Sequence, residues 1–313
     1  MVRDPLKTTF SGLRQRLDRR SGSVVLLGCC GLLLSLSGAV WLGSGNSGKQ
    51  QAEARPSLQE LLNEISSANP KALKNGATTQ RPNPPKALGW QSPLKRQCRH
   101  KNERLAERLG DVRKRLRRDR ESIEIDSSNY GRRYRKDPWN QAINPMPRVI
   151  VLHETSNTLT SAINTFQTPH PNDNDQVSYH TLIGREGRVV DVVNPLHRAY
   201  GAGYSAFLGE WAVTNPDFMG SVNNFALHLS LETPPDGYWG GRSHSGYTDA
   251  QYDALAVVLS EWMETFGITP EAITTHEHVD LGGERGDPRS FEWQELQVRL
   301  ESLQRLCSDQ IAR

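Results

Sequence analysis

Three residues near the ends of predicted strands could hold a metal ion: His153, His276 and Asp287. His153 follows the apolar run RVIVL, His276 follows AITT, and Asp287 lies across a glycine-containing loop from His276. Two imidazoles and a carboxylate, with a fourth position open for water, are a ligand set typical of catalytic zinc. His278 is not expected to share the metal, because positions i and i+2 of an extended strand point to opposite faces. The alternative is that both histidines are structural and that Asp287 is a turn residue before Pro288.

The elements that must position these residues alternate between strands and helices from Arg148 onward. RVIVLHET predicts a buried strand, NFALHLSLET a strand with a period of two, and AITTH a further short strand. VSYHTLIGREGRVVDVV predicts a hairpin that turns at Glu186-Gly187. One helix is expected between the N-cap Thr248 and Gly267, and SFEWQELQVRLESLQRLC predicts a terminal helix. The expected fold is therefore an α/β sheet with helices packed on it, within a domain over residues 123–313.

A membrane-length apolar segment lies near the N-terminus. From Ser23 to Leu42 the chain has no charge and no proline, and about twenty helical residues span roughly 30 Å of hydrocarbon. Residues 1–22 are basic, so the positive-inside rule places them in the cytoplasm and the folded part outside it. We expect an uncleaved transmembrane anchor over residues 23–43, with a cleaved signal segment as the alternative.

Two polar segments separate this anchor from the domain. Residues 44–94, rich in Gly, Ser, Gln, Asn and Pro, predict a flexible linker. Residues 95–122 predict a basic amphipathic helix with a narrow apolar stripe, formed by Leu105, Leu109, Val112 and Leu116. The stripe is expected to pack on the domain or on a partner. Its charged face is interpreted as solvated, and the alternative is a contact with an anionic polymer or lipid headgroups.

The composition limits the remaining classes of function. A chain of 313 residues with 36% hydrophobic residues suits one sizeable domain with polar appendages. The formal net charge of +3 is small, and no aromatic residues interleave with the basic helix, so nucleic acid is not an expected partner. Cys98 and Cys307 lie outside the membrane segment and could form a disulfide in an oxidising compartment, or remain unpaired.

Four motifs follow one another along the chain: VIVLHET, VSYHTLIGREGRVV, YTDAQYDALAVVLSEW and ITTHEHVDLGGERGDPRSFEW. Together and in this order they resemble the zinc-dependent N-acetylmuramoyl-L-alanine amidase family of the amidase-2 type, whose fold is shared by phage T7 lysozyme and peptidoglycan recognition proteins. The resemblance covers about residues 148–293 and implies a mixed central sheet flanked by helices, with His153, His276 and Asp287 as zinc ligands. THEHVDLGG is also similar to the signature of metallo-β-lactamase-fold hydrolases, but Leu281 stands where that signature needs a histidine.

Departures from the family pattern affect the expected catalytic residues. Arg285 stands where the family commonly has a lysine; it stays protonated, so it can stabilise an oxyanion but cannot act as a general base. His228 stands where many members have a glutamate, and it either handles protons or lies in the core or behind the ligands. Tyr179 is the other residue expected to handle protons or orient the water. The segment YGAG lacks the histidine of the family's substrate cleft, which the nearby His197 could partly replace.

The resemblance implies a membrane-tethered zinc amidase that hydrolyses the amide between N-acetylmuramic acid and L-alanine, in cell-wall remodelling or recycling. The expected partners are peptidoglycan or muropeptides, and the inner membrane through residues 23–43. The expected location is the periplasmic face of that membrane, or the periplasm if the segment is cleaved, and the expected state is a monomer. The alternative function is a peptidoglycan-binding module that has lost catalysis, which the changes at Arg285 and His228 favour and the intact ligand trio opposes. A third option is a scaffold that recruits partners through its basic helix.

Overall fold

The computed structural model describes residues 80–87, 89–97, 102–238 and 240–307. The helices are α1 Glu103–Asp119, α2 Leu159–Gln167, α3 Asp249–Phe266, α4 His276–Val279 and α5 Trp293–Ser302. The strands are β1 Glu121–Ser122, β2 Tyr130–Arg132, β3 Val149–Glu154, β4 Thr181–Ile183, β5 Val189–Asp191, β6 His197–Ala199, β7 Ala226–Leu231 and β8 Ile273–Thr275. The predicted N-terminal segments over residues 1–22 and 23–43 lie outside the described residues.

A six-stranded sheet forms the centre, in the order β1-β5-β4-β7-β3-β8. β3 pairs in parallel with β7 and β8, β4 pairs in parallel with β7, and β5 runs antiparallel to β4. The sheet is therefore mixed, and helices pack on it, as expected. β2 and β6 form a separate antiparallel pair, which the sequence analysis did not predict.

The two central strands are buried on both faces. Every residue of β3 and of β7 is buried. Ile150 and Leu152 point to the face that α1, α3 and α5 cover, whereas Val149 and Val151 point to the other face. Apolar and polar residues do alternate along β7. Such alternation usually indicates that the polar residues face solvent, but those of β7 are buried. They lie on the face of Val151, which is the face that carries His153.

The local signals for the hairpin and for the long helix are confirmed. β4 and β5 are joined by a turn in which Gly187 has φ 74°, and a Cβ there would lie 2.7 Å from the carbonyl oxygen of Ala250. Thr248 caps α3 by accepting from the backbone N–H of Gln251, whose side chain accepts from the backbone N–H of Thr248. The helix ends at Gly267, which has φ 66°.

The basic helix is part of the same hydrophobic core as α3 and α5. Leu109, Val112 and Leu116 of α1 are buried among core residues of both helices. Arg108 also forms an ion pair of 2.9 Å with Asp253 of α3. The predicted stripe therefore packs on the domain, and the boundary expected at residue 123 does not separate α1 from it. The helix is also shorter than the predicted range of 95–122.

The end of the predicted flexible linker is ordered against the domain. We call the described residues between 80 and 97 the strap. Leu94 is buried in the core, and the indole N–H of Trp90 donates to the carbonyl oxygen of Glu271 at 2.9 Å. The prediction of a flexible linker up to residue 94 is wrong from residue 80 onward, because Trp90 and Leu94 supply apolar surface that the domain buries.

Two observations concern the membrane and disulfide predictions. Among the described residues, no helix combines the length and the apolar character that crossing a membrane requires. Cys307 is disulfide-bonded. The other three cysteines of the chain lie outside the described residues, so Cys98 as its partner stays a prediction.

Candidate metal centre

The parallel pairing of β3 and β8 brings the three predicted ligands together. Leu152 of β3 and Thr275 of β8 are partners in the ladder. The residues that follow them, His153 and His276, therefore lie side by side at the same edge of the sheet. The loop after α4 returns Asp287 to the same point. Its Oδ1 lies 2.9 Å from Nδ1 of His276, and its Oδ2 lies 3.3 Å from Nδ1 of His153. One ligand atom from each of the three side chains lies within 4.8 Å of the others.

The charge state of this trio suits a divalent cation. Burial lowers the pKa of His153 to about 4, so its imidazole is neutral at pH 7. Burial opposes ionisation of Asp287, but the contacts with His153 and His276 outweigh it and lower the pKa of the carboxyl. Nδ1 of His153 is buried and makes no hydrogen bond. A neutral imidazole whose ring nitrogen faces an ionised carboxylate without an aligned hydrogen bond is a form in which such residues bind metal, so the trio fits zinc.

His228 lies behind the metal centre, inside the core. Its Nδ1 is 2.9 Å from Nε2 of His153, and its side chain is fully buried. Its ring stacks on that of His180, which accepts a hydrogen bond of 2.9 Å from the backbone N–H of His228. Burial lowers the pKa of His228 well below its usual range. His228 is not among the residues that line the cleft. Of its two expected roles, this contact supports the one behind the ligands, where it orients His153.

The YGAG segment packs its backbone against this histidine. A Cβ at Gly201 would lie 2.4 Å from both Cγ and Nδ1 of the His228 ring, which leaves no space for a side chain. Gly201 stands where the family has a histidine, and it lies against His228, which is the other departure from the family pattern. The absence of a side chain at position 201 therefore leaves the space that the His228 ring occupies. His197 does not replace the missing side chain, since it stacks on Tyr130 and does not line the cleft.

A cleft of about 1700 Å³ opens over the metal centre. His276 and Asp287 line it together with Tyr179 and Arg285. Tyr179 stacks on His153 with ring centroids 4.5 Å apart, and burial raises the pKa of its phenol, which therefore stays protonated. The strap contributes residues 80–83 to the lining of this cleft.

Arg285 is exposed on the loop that leads to Asp287. Asp280 organises this loop: its Oδ1 accepts from the backbone N–H of Gly282 at 3.1 Å, and its Oδ2 accepts from those of Glu284 at 2.7 Å and Arg285 at 3.0 Å. The guanidinium is thus presented to the cleft from an ordered backbone. A cation beside the trio is placed to stabilise negative charge that develops on a substrate.

His278 lies outside the trio, but not for the predicted reason. Residues His276–Val279 form a turn of helix and not an extended strand, so the two histidines differ by about 200° around a helix axis. Nδ1 of His278 lies 2.6 Å from Oγ1 of Thr275, and its ring packs against Trp90.

One buried carboxylate at this site, that of Glu154, is not among the residues predicted from the sequence. Glu154 follows His153 directly, and its side chain is 2% exposed. A charged residue at the end of an otherwise apolar strand run is the signal that could have identified it, because unpaired carboxylates are rarely buried.

Residues 143–290 match the family profile described as N-acetylmuramoyl-L-alanine amidase, Amidase_2. The 1,6-anhydro-N-acetylmuramyl-L-alanine amidase AmpD of Haemophilus influenzae is 33% identical over 122 residues, which cover 38% of this chain and 56% of the relative. AmpD of Escherichia coli K12 is 30% identical over 125 residues, which cover 39% and 58%. The chain thus spans little more than half the length of these curated relatives.

Two solved structures are also similar. A crystal structure of a selenomethionine derivative of AmpD has a TM-score of 0.43 at 22% identity and covers 58% of this chain and 95% of its own. The amidase AmiD from E. coli, in complex with anhydro-N-acetylmuramic acid-L-Ala-D-γ-Glu-L-Lys, has a TM-score of 0.41 at 23% identity and covers 51% and 59%. The family match contains all three residues of the trio and excludes the strap, α1 and α5. Residues 143–290 therefore form a domain that is similar to the N-acetylmuramoyl-L-alanine amidase family of the amidase-2 type.

Proposed function

We propose that this protein is a zinc-dependent N-acetylmuramoyl-L-alanine amidase, which hydrolyses the amide between N-acetylmuramic acid and L-alanine. The observation that carries the proposal is the trio His153, His276 and Asp287, whose ligand atoms lie within 4.8 Å of one another beneath an open cleft. The match of residues 143–290 to the amidase family profile supports the reaction class. Because the AmpD relatives are named as 1,6-anhydro-muramyl amidases, we propose muropeptides and peptidoglycan as the substrate class.

The chemistry that zinc supplies, when bound, is polarisation of the scissile carbonyl and activation of water at neutral pH. His153, His276 and Asp287 would hold the cation through two imidazoles and an ionised carboxylate. Water oxygen adds to the carbonyl carbon, the carbon–nitrogen bond breaks, and the protons of that water pass to the leaving amine, so that the products are a lactyl carboxylate and the ammonium group of L-alanine.

The remaining cleft residues act on charge and orientation. The guanidinium of Arg285 stabilises the oxyanion that forms when water adds to the carbonyl. Tyr179 keeps its proton and donates a hydrogen bond from the wall of the cleft to water or substrate. His228 holds the His153 ring in one orientation from inside the core.

We also propose that the protein acts outside the cytoplasm, as a monomer tethered to the inner membrane through residues 23–43 and facing the periplasm. The uncharged segment after a basic N-terminus supports the tether. The disulfide at Cys307 supports an oxidising compartment. The trio comes from one chain, which supports a monomeric active unit.

The experiment is to measure zinc content and reaction products of the purified full chain. Elemental analysis should give one equivalent of zinc, and mass spectrometry should detect stem peptides that begin at L-alanine after incubation with anhydro-muropeptide or peptidoglycan. His153→Ala should lose both the zinc and the products. His278→Ala is the matched control and should keep both, because that histidine is exposed and lies outside the trio.

Two outcomes contradict the proposal in different ways. Zinc with no released peptide, together with binding to peptidoglycan, identifies a recognition module that has lost catalysis. Products released at the normal rate by His153→Ala show that the trio does not carry the reaction.

A further inference from the structure

Four side chains meet at the end of β3, where Glu154 follows the candidate ligand His153. Oε2 of Glu154 accepts hydrogen bonds from Nε2 of His244 at 2.9 Å and from the hydroxyl of Tyr247 at 2.8 Å. Oε1 of Glu154 accepts from Nε of Arg289. We call Glu154, His244, Tyr247 and Arg289 the clasp. Because donors occupy both oxygens, Glu154 is not available as a general base, although it lies next to His153.

The donors of the clasp are all held in place. Burial and the charge of Glu154 raise the pKa of the Tyr247 phenol, so it remains a hydrogen-bond donor. Besides its contact with Glu154, Arg289 donates from one terminal nitrogen to the carbonyl oxygen of Gly237 at 2.9 Å and from the other to that of Gly241 at 3.1 Å. The Arg289 guanidinium therefore contacts Glu154 at the end of β3 and, at the same time, the backbone carbonyls of Gly237 and Gly241.

The clasp joins residues that lie within two positions of two of the three ligands. Glu154 follows His153 in the chain, and Arg289 stands two residues after Asp287. A second link, from the backbone N–H of His244 to Oγ of Ser290 at 2.9 Å, holds the same loop. A buried contact between these neighbours sets the separation of His153 from Asp287, which come from segments more than 130 residues apart.

We propose that the clasp positions the metal ligands: it holds the Asp287 loop against the end of β3, so that the three ligand atoms remain within reach of one cation. This inference rests on the proposed function, since it concerns the same metal centre. Metal sites require their ligands to be held within about 0.5 Å, and loss of outer partners typically lowers metal affinity about 10–100-fold. Arg289 does not line the cleft, and Glu154 lines it with both carboxylate oxygens already occupied by donors, so both residues act through the ligands as positioning residues.

The test uses the full chain with Arg289→Lys and, separately, Glu154→Gln. Lysine keeps the charge but cannot make the three contacts of the guanidinium, and glutamine keeps the shape but turns an N–H₂ group towards a donor. Zinc affinity is measured by competition with a chelator, and hydrogen exchange is measured in the metal-free protein at the amide of Glu277, which donates to the carbonyl oxygen of Asp287 at 3.1 Å. Each variant should bind zinc about 10–100-fold more weakly and exchange this amide faster.

The matched control is Asp253→Asn in another buried ion pair. Asp253 contacts Arg299 with side chains 7% and 2% exposed, on α3 and α5 and away from the cleft. This variant should lower Tm but leave the zinc affinity and the exchange at Glu277 unchanged, which separates positioning from general stability.

The outcomes distinguish this inference from the proposed function. Unchanged zinc affinity and unchanged exchange in folded Arg289→Lys and Glu154→Gln overturn the inference. If the unaltered protein binds zinc but releases no stem peptide, the proposed function fails while weaker zinc binding by the two variants still supports the clasp. If the unaltered protein binds no zinc, the metal-dependent function and the inference about its ligands both fail.

Discussion

Replacement of His228 by alanine separates an orienting role from a proton-transfer role for this residue. If His153 holds a cation through Nδ1, its ring proton would be on Nε2, which could donate to Nδ1 of His228 across 2.9 Å. His228 would thereby select the ligating tautomer of His153 and fix the plane of its ring. His228→Ala removes the acceptor and leaves a buried N–H without a partner.

The expected magnitude follows from this contact. Loss of an outer partner of a ligating histidine lowers metal affinity about 10–100-fold, which corresponds to about 1.4–2.7 kcal/mol. Gly201→Ala should act in the same direction from the other side, because its Cβ would lie 2.4 Å from the His228 ring and would push the ring away from His153. Ser230→Ala is the control: this buried hydroxyl lies on the same strand and makes no hydrogen bond.

The assay measures zinc affinity by chelator competition and hydrolysis of an anhydro-muropeptide at saturating zinc. For His228→Ala we expect weaker zinc binding and recovery of most of the activity when zinc is saturating. The reasoning is refuted if zinc affinity is unchanged while the rate at saturating zinc falls about 100-fold or more, since a loss of that size is typical of a missing general acid or base.

Two further predictions concern stability. Burial lowers the pKa of His153 to about 4 and that of His180 to about 3, so the unfolded chain, with histidine pKa values near ~6.5, binds more protons than the folded chain below that pH. The metal-free protein should therefore lose stability as pH falls from about 6.5 towards 4, by up to about 1.4 kcal/mol per pH unit for each group, and a Tm in chelator that is equal or higher at pH 5 than at pH 7.5 contradicts this. Leu109→Ala, at a residue with no exposed surface, should cost about 3 kcal/mol and lower Tm by about 6–12 °C, whereas the exposed Glu107→Ala should change stability by less than about 0.5 kcal/mol. Equal Tm values for these two variants in thermal unfolding would show that α1 does not pack on the domain.

Several secondary-structure elements and the ligand trio were predicted from short sequence patterns. The apolar run of β3, the turn at Gly187 and the caps of α3 at Thr248 and Gly267 depend on neighbouring residues only, and each is where the sequence indicates. The structure brings His153, His276 and Asp287 together as expected, because the carboxyl ends of the adjacent parallel strands β3 and β8 lie at the same edge of the sheet and the loop after α4 returns Asp287 to that edge.

The elements that were missed or misjudged depend on contacts over long separations. The helix α2 has an N-cap at Thr158 and buried Leu159 and Phe166, but nine residues give a weak period. The strap has the composition of a linker, and it is ordered by contacts such as that between Trp90 and Glu271, 181 positions later. Composition describes a segment in isolation and contains nothing about the surface that will cover its few apolar residues.

The sequence by itself determined the α/β class, the amidase-2 resemblance and the identity of the candidate ligands, because periodicity, caps and motif order are properties of short stretches. Only the tertiary structure decided what surrounds those ligands. In that structure His228 contacts His153, and the His228 ring leaves no room for a side chain at Gly201. Glu154 accepts hydrogen bonds from residues of two loops. These arrangements arise where β3 lies between β7 and β8, since strand order brings together side chains whose separation along the chain has no local signature.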